Sequence, residues 1–382
     1  MKIRYFTDIS QVPQIKPGEL PSLERVGEQF AFRANSYYLG LINWDDPDDP
    51  IRKIIIPQKA ELIPWGELDA SNEADYKVAP GLEHKYPDTA LFLLTNVCGG
   101  YCRFCFRKRL FMNDNNEPMQ EIGPALVYLK KHREINNLLL TGGDPLILST
   151  RKLENVISET RKIDHIKTIR IGTKMLAFNP YRIIDDPSLS KLVRKYSTPE
   201  KRIYFMSHFN HPREITEEAI EAIRILLEAG AIITNQTPLI RGVNDNALVL
   251  SELFNKLTFI GAPPYYVFIG RPTLGNRTYA VPLDEAYQIV ERAKMRVSGL
   301  ARRARLVMSH ATGKIEIAGL TQSKIYVRYH RAANPEDDSR FLVFKRDDNA
   351  YWFDDLQIAV DQYVVKRRKS PAQSHHRRLS PI

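Results

Sequence analysis

The sequence predicts an α/β fold: a partial (β/α)6 barrel with a mainly helical N-terminal extension and a small antiparallel β extension at the C-terminal side. Three observations carry this expectation. Six short apolar runs recur between residues 90 and 269, with amphipathic helical patterns in the gaps. Short buried strands alternating with helices build a parallel sheet. Beyond residue 300 apolar and polar residues alternate, the mark of half-buried antiparallel strands. The chain has 382 residues, of which 43% are hydrophobic and 26% charged. That supports a large core and excludes a disordered or disulfide-stapled chain.

Residues 1–87 read as the helical extension, with a helix over Ser22–Ala34 and a proline-rich acidic break at 43–50, where Pro47 and Pro50 stop helix. Residues 88–300 hold the barrel. Its strands are expected at Ala90–Thr95, Asn137–Thr141, Thr168–Gly172, Arg202–Ser207, Ala231–Gln236 and Tyr265–Ile269. The clearest helix spans Thr216–Gly230. Thr216 can cap it, Glu217 and Glu218 suit the positive first turn, Gly230 can end it, and Ile220, Ile223 and Leu227 share one face. Residues 301–364 carry Lys314 and a small sheet over Lys324–Ala332, Phe341–Arg346 and Tyr351–Phe353, with a turn at Asp347–Asn349. Residues 365–382 form a basic tail.

The net charge is +10, but Lys366–Arg378 holds six lysines and arginines and no acid, and 10 − 6 leaves about +4 for the rest. The tail reads as a solvated segment, so the overall charge is poor evidence for a nucleic-acid partner. No apolar run reaches the roughly 18 residues of a membrane span, and the first residues lack an apolar signal core. A cytoplasmic, reducing location is expected.

The three cysteines, Cys98, Cys102 and Cys105, lie within eight residues, directly after the first predicted barrel strand. An odd, clustered set does not make a disulfide framework and points to a metal. The loop after a parallel strand is where ligands sit, and Gly99 and Gly100 let the backbone fold around a bulky group. Three thiolates suit a [4Fe–4S] cluster with one iron lacking a protein ligand. Electron-transfer clusters normally take four cysteines. S-adenosylmethionine (SAM) can chelate the open iron, and one electron then splits its sulfonium to a hydrogen-abstracting 5′-deoxyadenosyl radical. The rival is a Cys3His zinc site, which needs a histidine ligand; the nearest in sequence are His84 and His132. At the next strand end, Gly142 and Gly143 allow close approach of a ligand, and Asp144 can pair with the ammonium of SAM or of a substrate.

These segments, with PGLEHKYPD (80–88), LLTNVCGGYCRFCFRKR (93–109), LLLTGGDPL (138–146), IRIGTK (169–174), SHFNHPREIT (207–216), NQTPLIRGVND (235–245) and PYYVF (264–268), resemble the lysine 2,3-aminomutase family of radical SAM enzymes across roughly residues 40–315. The resemblance implies an isomerase that uses a radical from SAM together with pyridoxal 5′-phosphate (PLP) to move an amino group from C2 to C3 of an amino acid. It implies that Cys98, Cys102 and Cys105 hold the cluster and that Gly142, Gly143 and Asp144 bind SAM. His208 and Gln236 would line the SAM or PLP pocket, and Arg107 would clamp the substrate carboxylate. Lys314 would carry PLP, although its loop is shorter than the family's and has one glycine. The family's phosphate-gripping arginine is replaced by Thr89, with Lys85 standing in for another basic group. Of the two aspartates that hold lysine's distal ammonium, one matches Arg271 and the other falls near Ser309 or His310. A cation at that place fits an acidic or neutral amino acid better than lysine. The implied partners are this amino-acid-like substrate, a reducing electron donor and further copies of the chain. Two other readings stand beside it: a PLP-independent radical enzyme performing epimerisation, oxidation or rearrangement, and a non-catalytic protein with a structural metal and a stacking surface at Tyr351, Trp352 and Phe353.

Overall fold

In the computed structural model, which describes residues 3–364 apart from 113–116, 120 and 358, all six apolar runs become neighbouring strands. β1 (Tyr5–Phe6) and β2 (Ala34–Asn35) form a small antiparallel pair. The other strands among the described residues lie in one sheet. They are β3 (Lys77–Ala79), β4 (Leu82–Tyr86), β5 (Thr89–Thr95), β6 (Asn137–Gly142), β7 (Thr168–Thr173), β8 (Ile203–Ser207), β9 (Ile232–Pro238), β10 (Pro264–Phe268), β11 (Arg305–His310), β12 (Gly313–Leu320), β13 (Lys324–Ala332), β14 (Phe341–Lys345) and β15 (Asp361–Tyr363). Their order in the sheet is their order in the chain. β5 to β11 are parallel, so Arg305–His310 adds a seventh parallel strand to the six expected. The strands on either side of that block are antiparallel.

An order without reversal has a consequence. Right-handed crossovers that all step the same way put every helix on one face, and the sheet curls with its other face inward. Strand β7 displays the division: Ile169 and Ile171 enter the main hydrophobic core, and Arg170 between them faces the opposite side. The two ends of the sheet, β3 and β15, do not pair, so the barrel is open. Side chains bridge the opening. Tyr76 donates its hydroxyl to the Ala311 carbonyl at 2.8 Å, Lys85 donates to the His310 carbonyl at 2.6 Å, and Arg331 donates to Thr89 Oγ1 at 3.2 Å.

The expected helix over Thr216–Gly230 spans Glu217–Glu228, capped by Thr216 Oγ1 on the Ala219 amide. Gly230 follows it at φ +89, a left-handed stop that only glycine adopts without strain. Its buried face is Ala219, Ala222, Ile223 and Leu226, so Ile223 is placed as expected and Leu226 replaces Leu227.

Four expectations are corrected. The first helix covers Leu20–Gln29, not Ser22–Ala34. Phe30, Phe32 and Ala34 are buried alternately, a two-residue period that only extended chain satisfies. The N-terminal extension is not mainly helical at its end, because β3 and β4 turn at Gly81 (φ +73) and extend the sheet. The C-terminal strands do not form a separate sheet but continue the barrel sheet through β11. Tyr351–Phe353 is not a strand: the Asp355 carboxylate accepts the Tyr351 and Trp352 amides and winds a short turn, and Asp361–Tyr363 pairs with β14 instead. Trp352 is buried and Phe353 packs edge-on to Phe344, so these rings serve the core rather than a stacking surface. The basic stretch 366–378 lies outside the described residues. Among the described residues no helix is long and apolar enough to cross a membrane.

Candidate active site

The cysteine loop leaves the C-terminal end of β5 and is held by the N-terminal extension. Arg33 Nε donates to the Cys98 carbonyl at 2.8 Å, and Asn35 Nδ2 donates to the Gly99 carbonyl at 3.0 Å. The Tyr101 and Arg103 amides donate to the carbonyls of Arg33 and Ile54. A β-carbon on Gly99 would stand 2.4 Å from Met175 Sδ, and one on Gly100 would stand 3.0 Å from Ile55 Cδ1. The two glycines thus let the Met175 and Ile55 side chains pack closely on the loop, with ordinary dihedrals at both positions.

Beneath the loop, Arg103 closes a two-pronged ion pair on Glu61, with Nη2 to Oε2 at 2.7 Å, and both side chains are sealed from solvent. Removing one partner leaves an unpaired buried charge. Glu61→Ala is expected to destabilise the fold by about 3–5 kcal/mol, measured by urea unfolding. A loss below about 1 kcal/mol would mean the pair is not holding the loop.

Burial pushes all three thiols up, Cys98 well above the ordinary range and Cys102 to about 12; Cys98 also feels the other two, and Cys102 feels Cys105. The Arg107 amide donates to Cys105 Sγ at 3.4 Å. Positive charge surrounds the set, from Arg33 beside Cys98, Lys174 beside Cys102, and Arg107, Lys108 and Arg109 beside Cys105. That suits thiolates bound to an iron–sulfur cluster, where metal bonding offsets desolvation. A single zinc ion fits poorly. Among the described residues no three histidine, cysteine or acidic side chains converge on one ion. The two histidines nearest the cysteines in sequence are engaged elsewhere: His84 Nδ1 bonds the Tyr128 hydroxyl at 2.9 Å, and His132 stacks on Tyr128 at 3.9 Å.

At the end of β6, Gly142 has φ +125, and a β-carbon there would meet the Thr95 carbonyl at 2.4 Å. The Gly143 and Asp144 amides donate to the carbonyls of Thr95 and Val97. The glycines thus knit this loop onto the cysteine loop. The Asp144 carboxylate accepts from Thr173 Oγ1 at 2.8 Å, the Leu146 amide at 3.0 Å and the Lys174 amide at 2.7 Å. Thr173 Oγ1 also lies 2.9 Å from the second carboxylate oxygen, so both oxygens are already engaged. Burial still raises its pKa to about 6 against those bonds.

His208 follows β8; burial first, then the charges of Lys174 and Arg107, push it down to about 4, and it is neutral. Gln236 lies half-buried in β9. Arg107 is buried with its fork on Glu73 (Nη2 to Oε1 at 2.7 Å) and Nη1 on Thr141 at 3.3 Å. Arg109 meets the same Glu73 at 2.7 Å. Burial would raise the Glu73 pKa, but Arg107, Arg109 and Arg271 overcome it and hold the carboxyl well below the usual range. Arg271, after β10, lies on the Phe106 ring at 3.6 Å, and its buried Nη1 has no hydrogen-bond partner. Lys314 opens β12 opposite Ser309. Its Nζ stands 5.4 Å from the Tyr86 ring and 5.7 Å from the Tyr266 ring. Burial, joined by Arg170, Arg271 and Lys85, lowers its pKa to about 7. His310 faces Asp354 at 3.0 Å.

Sequence reasoning missed Glu73, Arg170, Lys174 and Arg331. Arg170 had a signal, a charge in the middle of an apolar strand. Lys174 closes the IRIGTK segment, and its ammonium is buried between the His208 carbonyl, Asn210 Oδ1 and Glu214 Oε1. Glu73 and Arg331 had none.

Residues 92–252 match the radical SAM superfamily. Over 363 residues the chain is 54% identical to an Aquifex aeolicus protein named "Putative L-lysine 2,3-aminomutase", covering 95% of this chain and 97% of the relative. It is 38% identical to the L-lysine 2,3-aminomutase of Clostridium subterminale, covering 69% and 62% respectively. It is 33% identical to the glutamate 2,3-aminomutase of Clostridioides difficile, covering 77% and 68%. With the cysteine loop at a parallel strand end and the open sheet behind it, the chain belongs to the lysine 2,3-aminomutase family of radical SAM enzymes.

Proposed function

We propose that this chain is a PLP-dependent 2,3-aminomutase acting on an acidic or neutral amino acid rather than on lysine. Membership of the radical SAM superfamily implies a [4Fe–4S] cluster and SAM, and the family makes the chain an isomerase. The observation that carries the substrate reading is Arg271, a buried guanidinium whose Nη1 makes no hydrogen bond and lies 4.0 Å from the Glu73 carboxylate that Arg107 already holds, and whose charge acts on Lys314. A lysine side chain would bring a second buried cation against it, whereas a carboxylate would complete its bonding.

The cluster with SAM supplies hydrogen abstraction, and PLP supplies an electrophilic aldehyde for the migrating amine. The chain's own groups do the rest. Cys98, Cys102 and Cys105 would hold the cluster. Gly142 and Gly143 would bring backbone close to SAM, and Asp144 would set a carboxylate near its ammonium. Neutral His208 and Gln236 line the inner face. Lys314, desolvated and half neutral near pH 7, offers a nucleophilic amine. Lys85 and Arg271 add positive charge beside it. Arg107 retains N–H bonds beyond its fork on Glu73 for a substrate carboxylate. Electrons would come from a reducing donor, and three free thiols suit a reducing compartment.

The test is anaerobic incubation of cluster-loaded protein with SAM, dithionite and an amino-acid panel, with and without PLP. A β-isomer of an acidic or neutral amino acid, formed only with PLP, is the expected product. Arg271→Ala should raise KM for a dicarboxylic substrate about 10- to 100-fold and affect a neutral one less. Turnover of lysine above every other amino acid would overturn the substrate reading. Turnover without PLP would overturn the cofactor reading.

A further inference from the structure

Positive charge gathers around Lys314, and no acid is among the groups that act on it. Lys85 Nζ, Lys314 Nζ and Arg331 Cζ stand 5.8, 5.4 and 4.4 Å from the centroid of one ring, that of Tyr86. The charges that act on Lys314 are Arg170, Arg271 and Lys85, all of one sign. Glu73, Glu83 and Asp69 act on Lys85, but Glu73 is shared by Arg107, Arg109 and, at 4.0 Å, Arg271. Asp88 meets Arg331, but half of its side chain is in solvent. Like charges held this close and out of water repel. The arrangement is relieved by an anion with several oxygens.

Arg331 comes from β13, one strand beyond Lys314 in the C-terminal extension. In the β12–β13 ladder it is the direct partner of Lys314, so both side chains leave the same face of the sheet. It reaches across the barrel opening, with Nη1 on Thr89 Oγ1 at 3.2 Å and Nη2 on the Asp88 carboxylate. Thr89 has a hydroxyl but no charge, and Arg331 brings a guanidinium to that hydroxyl from the far end of the sheet.

We propose that Arg331 binds the phosphate of PLP, so that the C-terminal β extension completes the cofactor site of the barrel. The inference rests on the reading that Lys314 carries PLP. A planar guanidinium matches two phosphate oxygens at once. Without PLP it is parked on Asp88, which makes Asp88 a competitor of the phosphate.

The experiment is equilibrium binding of PLP and of pyridoxal, which lacks the phosphate, to the full chain. It is followed by the absorption of the lysine-bound aldehyde in the wild type and in Arg331→Gln, Arg331→Lys and Asp88→Asn. Arg331→Gln should weaken PLP about 10- to 100-fold and leave pyridoxal unchanged. Arg331→Lys should recover part of the loss, and Asp88→Asn should tighten PLP. Intact pyridoxal binding shows that the variant is folded. Equal weakening of both aldehydes by Arg331→Gln, no weakening of either, or weakening of PLP by Asp88→Asn would overturn the inference and assign Arg331 to closing the barrel seam. A wild type that captures neither aldehyde would sink the Lys314 reading and this inference with it. A wild type that captures PLP while Arg331→Gln is silent would sink this inference alone.

Discussion

Lys314→Ala is expected to reduce amino-group migration by more than about 10³-fold, the scale of a lost covalent nucleophile, while SAM is still cleaved in the presence of reductant. The two activities separate because the lysine sits on β12 and the cysteines on the loop after β5, held by different elements. The environment of the amine also sets a pH dependence. An ordinary lysine, at 10.5, would be only about 0.03% neutral at pH 7. Burial first, and the cations Arg170, Arg271 and Lys85 next, disfavour the ammonium and bring Lys314 to about 7, so about half of it is neutral there. Lowering the pH protonates the amine. Aldehyde capture by the wild type should therefore fall about tenfold per pH unit below 7 and level off above it, when followed by stopped-flow absorbance. A rate that kept climbing through pH 9 to 10 would mean an unperturbed lysine. Unchanged isomerisation in Lys314→Ala would remove the residue from the chemistry.

The second large effect concerns the thiols. Cys98→Ser, Cys102→Ser and Cys105→Ser should each lose iron and sulfide on anaerobic reconstitution and lower 5′-deoxyadenosine formation by more than about 100-fold, beyond what a partner outside the metal shell costs. The fold should survive. The loop is fastened by backbone bonds to Arg33, Asn35 and Ile54 and by the Arg103–Glu61 pair, none of which uses sulfur. Metal analysis and circular dichroism on the same samples check both halves. Variants that kept iron and cleaved SAM would show that another residue set holds the cluster. Stoichiometric zinc in the wild type would undo the radical reading altogether.

The legible part of this molecule was the part in which neighbours in sequence are neighbours in space. The strands of the barrel announce themselves because each is a short apolar run buried against helices, and the cap at Thr216 and the stop at Gly230 are local chemistry. The cysteines are three positions on one loop. The glycines at 142 and 143 were expected to admit a ligand. Their first duty proves to be contact between two loops, since a β-carbon on either would strike the backbone of the cysteine loop. Arg107 was expected to reach for a substrate carboxylate, yet its fork is occupied by Glu73. That carboxylate comes from a stretch with no periodicity and no motif to mark it.

What the sequence alone determined, then, was the run of six central strands and the gathering of three cysteines on the loop after the first of them, because each depends on the burial or spacing of residues close together in the chain. Only the tertiary structure decided that the N-terminal extension clamps the cysteine loop, that the C-terminal strands continue the barrel sheet, and that Arg331 reaches Thr89 from 242 residues away. The physical reason is that a curling sheet brings β4 and β5 within side-chain reach of β11 and β13, and the charge balance of a buried pocket is summed over space rather than along the chain.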